Sequence, residues 1–293
     1  MLIEVIPFGG SIDDQWLTYF VRDELAEIIK IGCLVEVPFR NALDYAMVTN
    51  LSDTWINSTS DISSDNIRSI VRIITTIPLL APYQIYSIFD ISSYYLVHAH
   101  HILSLYISKT LIKYLEKQDF RSLLLSTEKK VNNPDPLICF SHHTDVSSFY
   151  KAVDENILWR TILVFPDDFA IDAYMRHTSL KWDTTLIVHD KLTETKKHKA
   201  FFSVYNGEKN IIIWTRRILY YNLSRYDRVV YIEDAINKTV MRFNHTYKHL
   251  ELLRRLAHYS HLHISIVSSL PSIESMYLLH TWVYRKADRP IIL

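Results

Sequence analysis

Apolar positions recur with two different periods along this chain, and the change of period divides it. In the first fifty or so residues they alternate with polar ones: Leu2–Ile6, Trp16–Val21, Gly32–Phe39 and Tyr45–Leu51. A period of two marks a half-buried strand. Pro7, Gly9-Gly10 and the polar stretch Arg40–Asp44 supply the turns, and Asp23–Ile29 reads as a short helical or irregular link. Short strands spaced this closely predict a small β-barrel or curled sheet.

The pattern then lengthens. Thr54–Ser64 has no periodicity and reads as a loop. Asp65 is a good N-cap, and Ile67, Ile70, Val71, Ile74 and Ile77 fall on one helical face, predicting a helix that Pro78 ends. A second helix is predicted from about Pro82 to Tyr95, and a third from about His98 to Leu115. Lys117–Pro136 is polar and reads as a linker. The expected organisation is therefore a domain over 1–116, a linker over 117–136 and a second domain over 137–293.

In the second domain, apolar runs alternate with helical patterns. Leu137–Phe140, Thr161–Phe165, Leu186–Val188, Ile211–Trp214, Val229–Ile232 and Ile264–Val267 are the strand candidates. Helices are expected near 146–156, 167–177 and 245–259. Strand–helix alternation predicts an α/β fold with a mostly parallel sheet covered on both faces.

Composition narrows the function. Hydrophobic residues make up 48% of the chain and charged ones 22%, enough for a real core. Lys+Arg and Asp+Glu are each 32, but unevenly spread: 1–116 hold 7 basic and 13 acidic groups, 117–293 hold 25 and 19. Cys33 and Cys139 lie in apolar runs, which predicts reduced thiols in a cytoplasmic protein. No apolar stretch reaches the ~18 residues of a membrane span, and the N-terminus does not read as a signal peptide.

The 4 glycines are Gly9, Gly10, Gly32 and Gly207. A phosphate-cradling loop needs several glycines at close spacing before Lys-Ser or Lys-Thr, and none occurs here. Yet Val229–Ile232 ends in Glu233 and Asp234, and an acid pair at the carboxyl end of a buried strand is where a phosphate-bound Mg²⁺ is usually held. Without the loop, that pair reads as a solvated or locally paired strand end. Lys196, Lys197 and Lys199 stand beside Phe201-Phe202, as a single-strand site would have them, or as a solvated loop would. The His98/His100/His101 and His142-His143 groups lack the i, i+4 spacing that aims two ligands from one helix face, so no metal site is expected. Ser268-Ser269 have no His/Asp constellation for nucleophilic catalysis.

Gly32-Cys-Leu-Val-Glu-Val-Pro-Phe39, Ile77-Pro-Leu-Leu80, Thr161–Pro166, Trp214-Thr215-Arg216, Val230–Ile236 and Val267–Ser275, taken in order, resemble segments of the primosomal protein N′ family of replication-restart helicases. Gly32–Phe39 followed by Ala46-Met-Val48 resembles the G-x-x-V-x-V-P-F strand pair of its N-terminal DNA-binding domain. Ile77-Pro-Leu-Leu80 through Ser93-Tyr-Tyr95 resembles its E-P-L-L … D-Y-Y stretch. Further on, Thr161–Pro166, Trp214-Thr215-Arg216 through Leu219-Tyr220, Val230–Ile236 and Val267–Ser275 resemble successive motifs of its first RecA-like, P-loop NTPase-type lobe.

The resemblance implies a 3′-end DNA pocket at Leu17 and Thr18, with Arg40 where the family has a glycine and Arg68 in place of a lysine opening the first helix. It also implies nucleic-acid contacts near Thr215 and Arg216. ATP and Mg²⁺ are the family's cofactors. Here 141–148 hold neither Gly nor Lys at the phosphate-loop position, and the acid pair is Glu-Asp, with Ile236 after it for a histidine. The family's winged-helix domain, second lobe and zinc-binding cysteines are not expected in this chain. The expected function is DNA binding in replication restart, on forked or 3′-ended DNA with replication proteins as partners, and with a vestigial, pseudo-ATPase site at Glu233 and Asp234. The alternatives are a protein-interaction scaffold with decayed DNA sites, or half of a split ATP-dependent 3′–5′ DNA helicase.

Overall fold

The computed structural model describes residues 1–10, 17–52, 67–117, 138–158, 160–178, 180, 184–188, 191–215, 223, 225–234, 240–242, 246–260, 262–281 and 285–286. The chain forms two compact units, Met1–Leu125 and Ser126–Leu293.

The first unit is built on strands β1 (Leu2–Pro7) and β2 (Leu17–Phe20), the short helix α1 (Asp23–Ala26), then β3 (Leu34–Phe39), β4 (Ala42–Ser52) and β5 (Arg72–Ile73). These strands form an antiparallel sheet of order β2-β1-β4-β3-β5. The sheet closes on itself. Residues 71–75 bond to β3 through Val71 N to Glu36 O and Ile74 N to Leu34 O, and Ile70 N and Arg68 O bond to Phe20 of β2. Residues 68–75, within the segment that sequence periodicity assigns to a helix, are thus the closing strand of a small barrel, and the expected N-cap Asp65 lies outside the described residues. The Ile/Val run mimics a helical stripe, but β-branched residues suit an extended chain, and ladder pairing on both sides outweighs the pattern.

Inward positions alternate as the period of two requires. Ile3, Val5, Tyr19, Val21, Cys33, Val35, Val37, Ala46, Val48 and Ile70 form the barrel core. Tyr19 spends its hydroxyl inside this core on the Pro38 carbonyl at 2.9 Å. Burial pushes the Cys33 thiol up to about 11.

Helices α2 (Pro82–Tyr95), α3 (Ala99–Tyr106) and α4 (Lys109–Leu115) follow. Pro82 at N1 suits the first turn of α2, where the Gln84 amide oxygen also accepts the Ala81 N–H at 3.0 Å. The single helix expected over 98–115 is two, because Ile107 is extended and Ser108 caps a new start by accepting from Leu111 N at 3.2 Å. Gly32 fixes how closely these elements approach the barrel. Its φ is +87°, and a Cβ there would stand 1.9 Å from the Leu80 carbonyl oxygen.

The second unit comprises β6 (Ile138–His142), α5 (Val146–Glu155), β7 (Thr161–Val164), α6 (Asp168–Met175), β8 (Thr185–Val188), α7 (Glu194–Tyr205), β9 (Ile211–Trp214) and β10 (Arg228–Asp234). After them come β11 (Val240–Arg242), β12 (Thr246–Lys248), α8 (His249–Ser260), β13 (His263–Leu270), α9 (Ile273–His280) and β14 (Arg285–Lys286). Its main sheet is parallel throughout, in the order β14-β6-β13-β10-β7-β9-β8, and β11-β12 make a separate hairpin.

Both faces of the parallel sheet are covered. Val153 of α5 and Ile171 and Tyr174 of α6 pack with Leu163, Ile213, Val230 and Ile232 on one face. Tyr231 points the other way and stacks on His249 at the start of α8. The protein is therefore a mixed α/β chain: an antiparallel sheet closed into a barrel by a parallel bridge between Phe20 and Ser69, with helices, then a parallel sheet between helices. Chain order reverses direction on either side of the β13–β10 pair, so the carboxyl ends of β6, β13, β10 and β7 are where such a fold offers a ligand crevice.

Candidate nucleic-acid interface

In the first unit, topology gathers the predicted pocket residues at one end of the barrel. β3 and β4 are joined by the two-residue loop Arg40–Asn41 between the paired Phe39 and Ala42. Arg40 holds φ +53°, a left-handed backbone that favours glycine. Its guanidinium lies over the Phe39 ring, 5.2 Å from the centroid. Arg68 Nη1 donates to the Arg40 carbonyl at 3.2 Å. Antiparallel pairing of β5 with β3 sets Arg68 at this end, and β2 begins here too, since Leu17 pairs with Val5 near the end of β1. Thr18, Arg40 and Arg68 are exposed, whereas Leu17 packs onto the barrel core. Arg68 lies in extended chain and opens no helix. The same end carries Asp44, whose carboxylate accepts the Gly9 N–H at 2.6 Å.

Lys196, Lys197 and Lys199 lie on helix α7, not on a loop. Their neighbour Phe201 is buried with Val204 and Tyr205, so this ring belongs to the core and offers no stacking face. Lys197 is paired with Glu194 at 3.0 Å, which leaves Lys196 and Lys199 as the exposed cations of the run. Thr215 follows β9 and is only 2% exposed, so its hydroxyl is not presented at the surface. Arg216 lies outside the described residues.

The strand end that sequence marks as a former metal site has a different occupation. Glu233 is 2% exposed. Its carboxylate accepts three hydrogen bonds from the start of α9: Ser272 Oγ at 2.7 Å, Ser275 Oγ at 2.5 Å and Ser272 N at 3.3 Å. Ser272 is itself the N-cap, accepting from Ser275 N at 3.1 Å. Glu233 is thus a buried, locally bonded carboxylate and not a solvated one. The Asp234 side chain lies outside the described residues.

At the end of β6, His143 N bonds to Ser268 O at 3.0 Å and the chain enters α5 through Asp145. Asp145 caps that helix, accepting from Ser148 N at 2.8 Å, and this bond lowers its pKa. Helix N-terminal amides are the usual cradle of a phosphate, and here a carboxylate already takes one of them.

The rings of His98, His100 and His101 lie together, with centroids 4.1 to 6.1 Å apart, although their spacing does not predict it. The cause is the switch from extended chain at His98 to helix at Ala99. Among the described residues no group of three or more His, Cys, Asp or Glu is arranged to hold a metal ion. Nor, among those residues, is any helix long and apolar enough to cross a membrane.

Sequence reasoning did not identify Ser272 and Ser275 as partners of Glu233, although Ser-x-x-Ser before a helix is a capping signal. It also missed Asp145, the N-cap of α5.

Residues 7–108 match the family model of the PriA 3′ DNA-binding domain (3′BD). The first unit is therefore PriA-like. Among curated proteins none matches the chain. Of solved structures, the chain is similar to the C-terminal domain of the DEAD-box protein Dbp5. In one, that domain from S. cerevisiae is bound to Gle1 and IP6, and the likeness covers 52% of this chain and 88% of that one at 10% identity and TM-score 0.37. Another structure of the Dbp5 C-terminal domain gives 52% and 89% at 10% identity and TM-score 0.36.

Proposed function

We propose that the protein binds forked or 3′-ended DNA through its first unit, acts in replication restart, and has no ATPase or helicase activity by itself. The match of residues 7–108 to the PriA 3′ DNA-binding domain carries this reading. Supporting it, Thr18, Arg40 and Arg68 lie exposed at one barrel end, where two guanidinium groups can take the backbone phosphate that precedes the 3′-terminal nucleotide while Thr18 offers a hydroxyl to the free 3′ end. The acidic surplus of residues 1–116 keeps counterion-driven affinity low, so binding depends on the end pocket and is strongest at low salt.

The second unit is read as a degenerate RecA-like lobe. Phosphoryl transfer needs cradled phosphates, a held Mg²⁺ and basic groups around the transition state. Asp145 occupies a helix terminus that a phosphate would use, and Glu233 spends its carboxylate on two serines. The test is fluorescence anisotropy of the full chain with forks whose 3′ arm ends in a free hydroxyl or a phosphate. Tighter binding to the free 3′ end is expected, and no binding to it at low salt overturns the reading.

A second reading, a protein-interaction scaffold, is favoured by apolar side chains exposed at strand ends of the parallel sheet. Ile273 is 86% exposed, and Phe169 and Val146 are also largely open. Pull-down with replication proteins separates the two: partners that all vanish on nuclease treatment exclude the scaffold.

A further inference from the structure

We propose that a cleft in the first unit, between the outer face of β1–β4 and helix α2, is a subsite for an unpaired nucleobase of the bound strand. This rests on the DNA-binding reading and adds a second contact to the end pocket. The cleft is about 1080 Å³ in volume. Glu4 and Asn50 form its polar floor, and Tyr86, Phe89, Leu96 and His98 its wall.

The wall keeps apolar residues open to solvent. Leu96 ends α2 in a Schellman motif, with its own N–H on Ser93 O and that of Val97 on Ser92 O. It occupies the left-handed position at φ +53°, where glycine is usual, and the residue is 92% exposed. Tyr86, one helical turn before Phe89, is 59% exposed. The Nδ1 atom of His98 is buried without a hydrogen-bond partner.

The chemistry selects a base and not a phosphate. Among the described residues lining the cleft there is no lysine or arginine. Aromatic rings offer stacking faces to any base, while a carboxylate and an amide can bond a base edge. Glu4 accepts from Asn50 Nδ2 at 3.3 Å, so the floor presents an ordered acceptor–donor pair. Position links the cleft to the strand end. Glu4 pairs across strands with Asn50 on one side and with exposed Thr18 on the other. The polar floor therefore continues to the strand that carries Thr18, and a 3′-terminal nucleotide at the arginine pair leaves the preceding base within the cleft.

The experiment uses the full chain and 3′-tailed forks with a single abasic site moved stepwise from the 3′ end. An abasic site at the cleft position should weaken binding about tenfold or more, the range of base–aromatic stacking. Tyr86→Ala should lose the same factor on intact DNA, become insensitive to the abasic site, and leave the salt slope unchanged. Leu96→Gly should weaken binding while melting no lower than wild type, which separates the effect from misfolding. If intact forks bind through Arg68 but abasic sites and both variants are neutral, the subsite is wrong and the DNA reading stands. If no fork binds, both fall. If free deoxynucleoside monophosphates compete as well as the strand does, the assignment to a strand base is overturned.

Discussion

Ser275 Oγ donates to the Glu233 carboxylate at 2.5 Å, tying the carboxyl end of β10 to the first turn of α9. Removing the acceptor would leave a buried donor on Ser275 and half-buried donors on Ser272 unmatched. Glu233→Ala should therefore destabilise the second unit by about 2–4 kcal/mol, the sum of a lost charge-assisted bond and unsatisfied groups. Glu233→Gln should cost less, about 1–2 kcal/mol, because one amide oxygen still accepts. Urea unfolding measures both. ATP turnover by the purified full chain should stay at background in wild type and variants alike.

Arg40 and Arg68 predict separable effects. Arg68→Ala should weaken binding to 3′-ended DNA and lower the slope of log K against log salt by about 1, as loss of one phosphate contact does. Arg40→Gly should raise stability by about 1 kcal/mol, because the left-handed backbone costs glycine nothing. Anisotropy across a salt series and thermal melting read the two.

The extent to which this fold was legible in the sequence follows from how local each signal is. Helix Pro82–Tyr95 was readable to the residue because Pro82 and a turn-spaced apolar stripe act within it. The parallel strands were readable as apolar runs because burial on both faces leaves no alternation. The stretch 67–77 was misread because its barrel partners, Phe20, Leu34 and Glu36, lie more than thirty residues away in sequence. Helix α7 was missed because its lysines mask a buried stripe of His198, Phe201 and Tyr205. At the candidate site, the family resemblance marked Arg68 and the acid pair at a strand end marked Glu233, but the Arg68–Arg40 contact and the bonding of Glu233 to Ser272 depend on register and sheet order that no local pattern encodes.

Gly32 predicts a hard constraint. Gly32→Ala places a Cβ against backbone, 1.9 Å from Leu80 O, and forces an alanine to φ +87°. The Leu79 N to Gly32 O and Gly32 N to Val48 O bonds, both 2.8 Å, hold that backbone in place. The variant should lose about 3 kcal/mol or more, or fail to accumulate as folded protein. Equilibrium unfolding, or the soluble yield against Gly207→Ala, checks it.

Two buried histidines give the second unit an acid-side pH dependence. Burial lowers the pKa of His263, helped by Arg228 and opposed by Asp227. Burial likewise lowers that of His198, opposed by Glu194 and helped by Lys197. A depressed folded value means the unfolded chain takes up protons first. The stability these groups contribute is therefore complete above their unfolded value near 6.5 and is lost as pH falls through their folded values. Urea midpoints should stay level from about pH 8 to 7 and decline below about 6.5. His263→Gln should flatten part of that decline, since glutamine does not titrate. A decline that is unchanged in both His198→Gln and His263→Gln would assign the acid sensitivity to other groups.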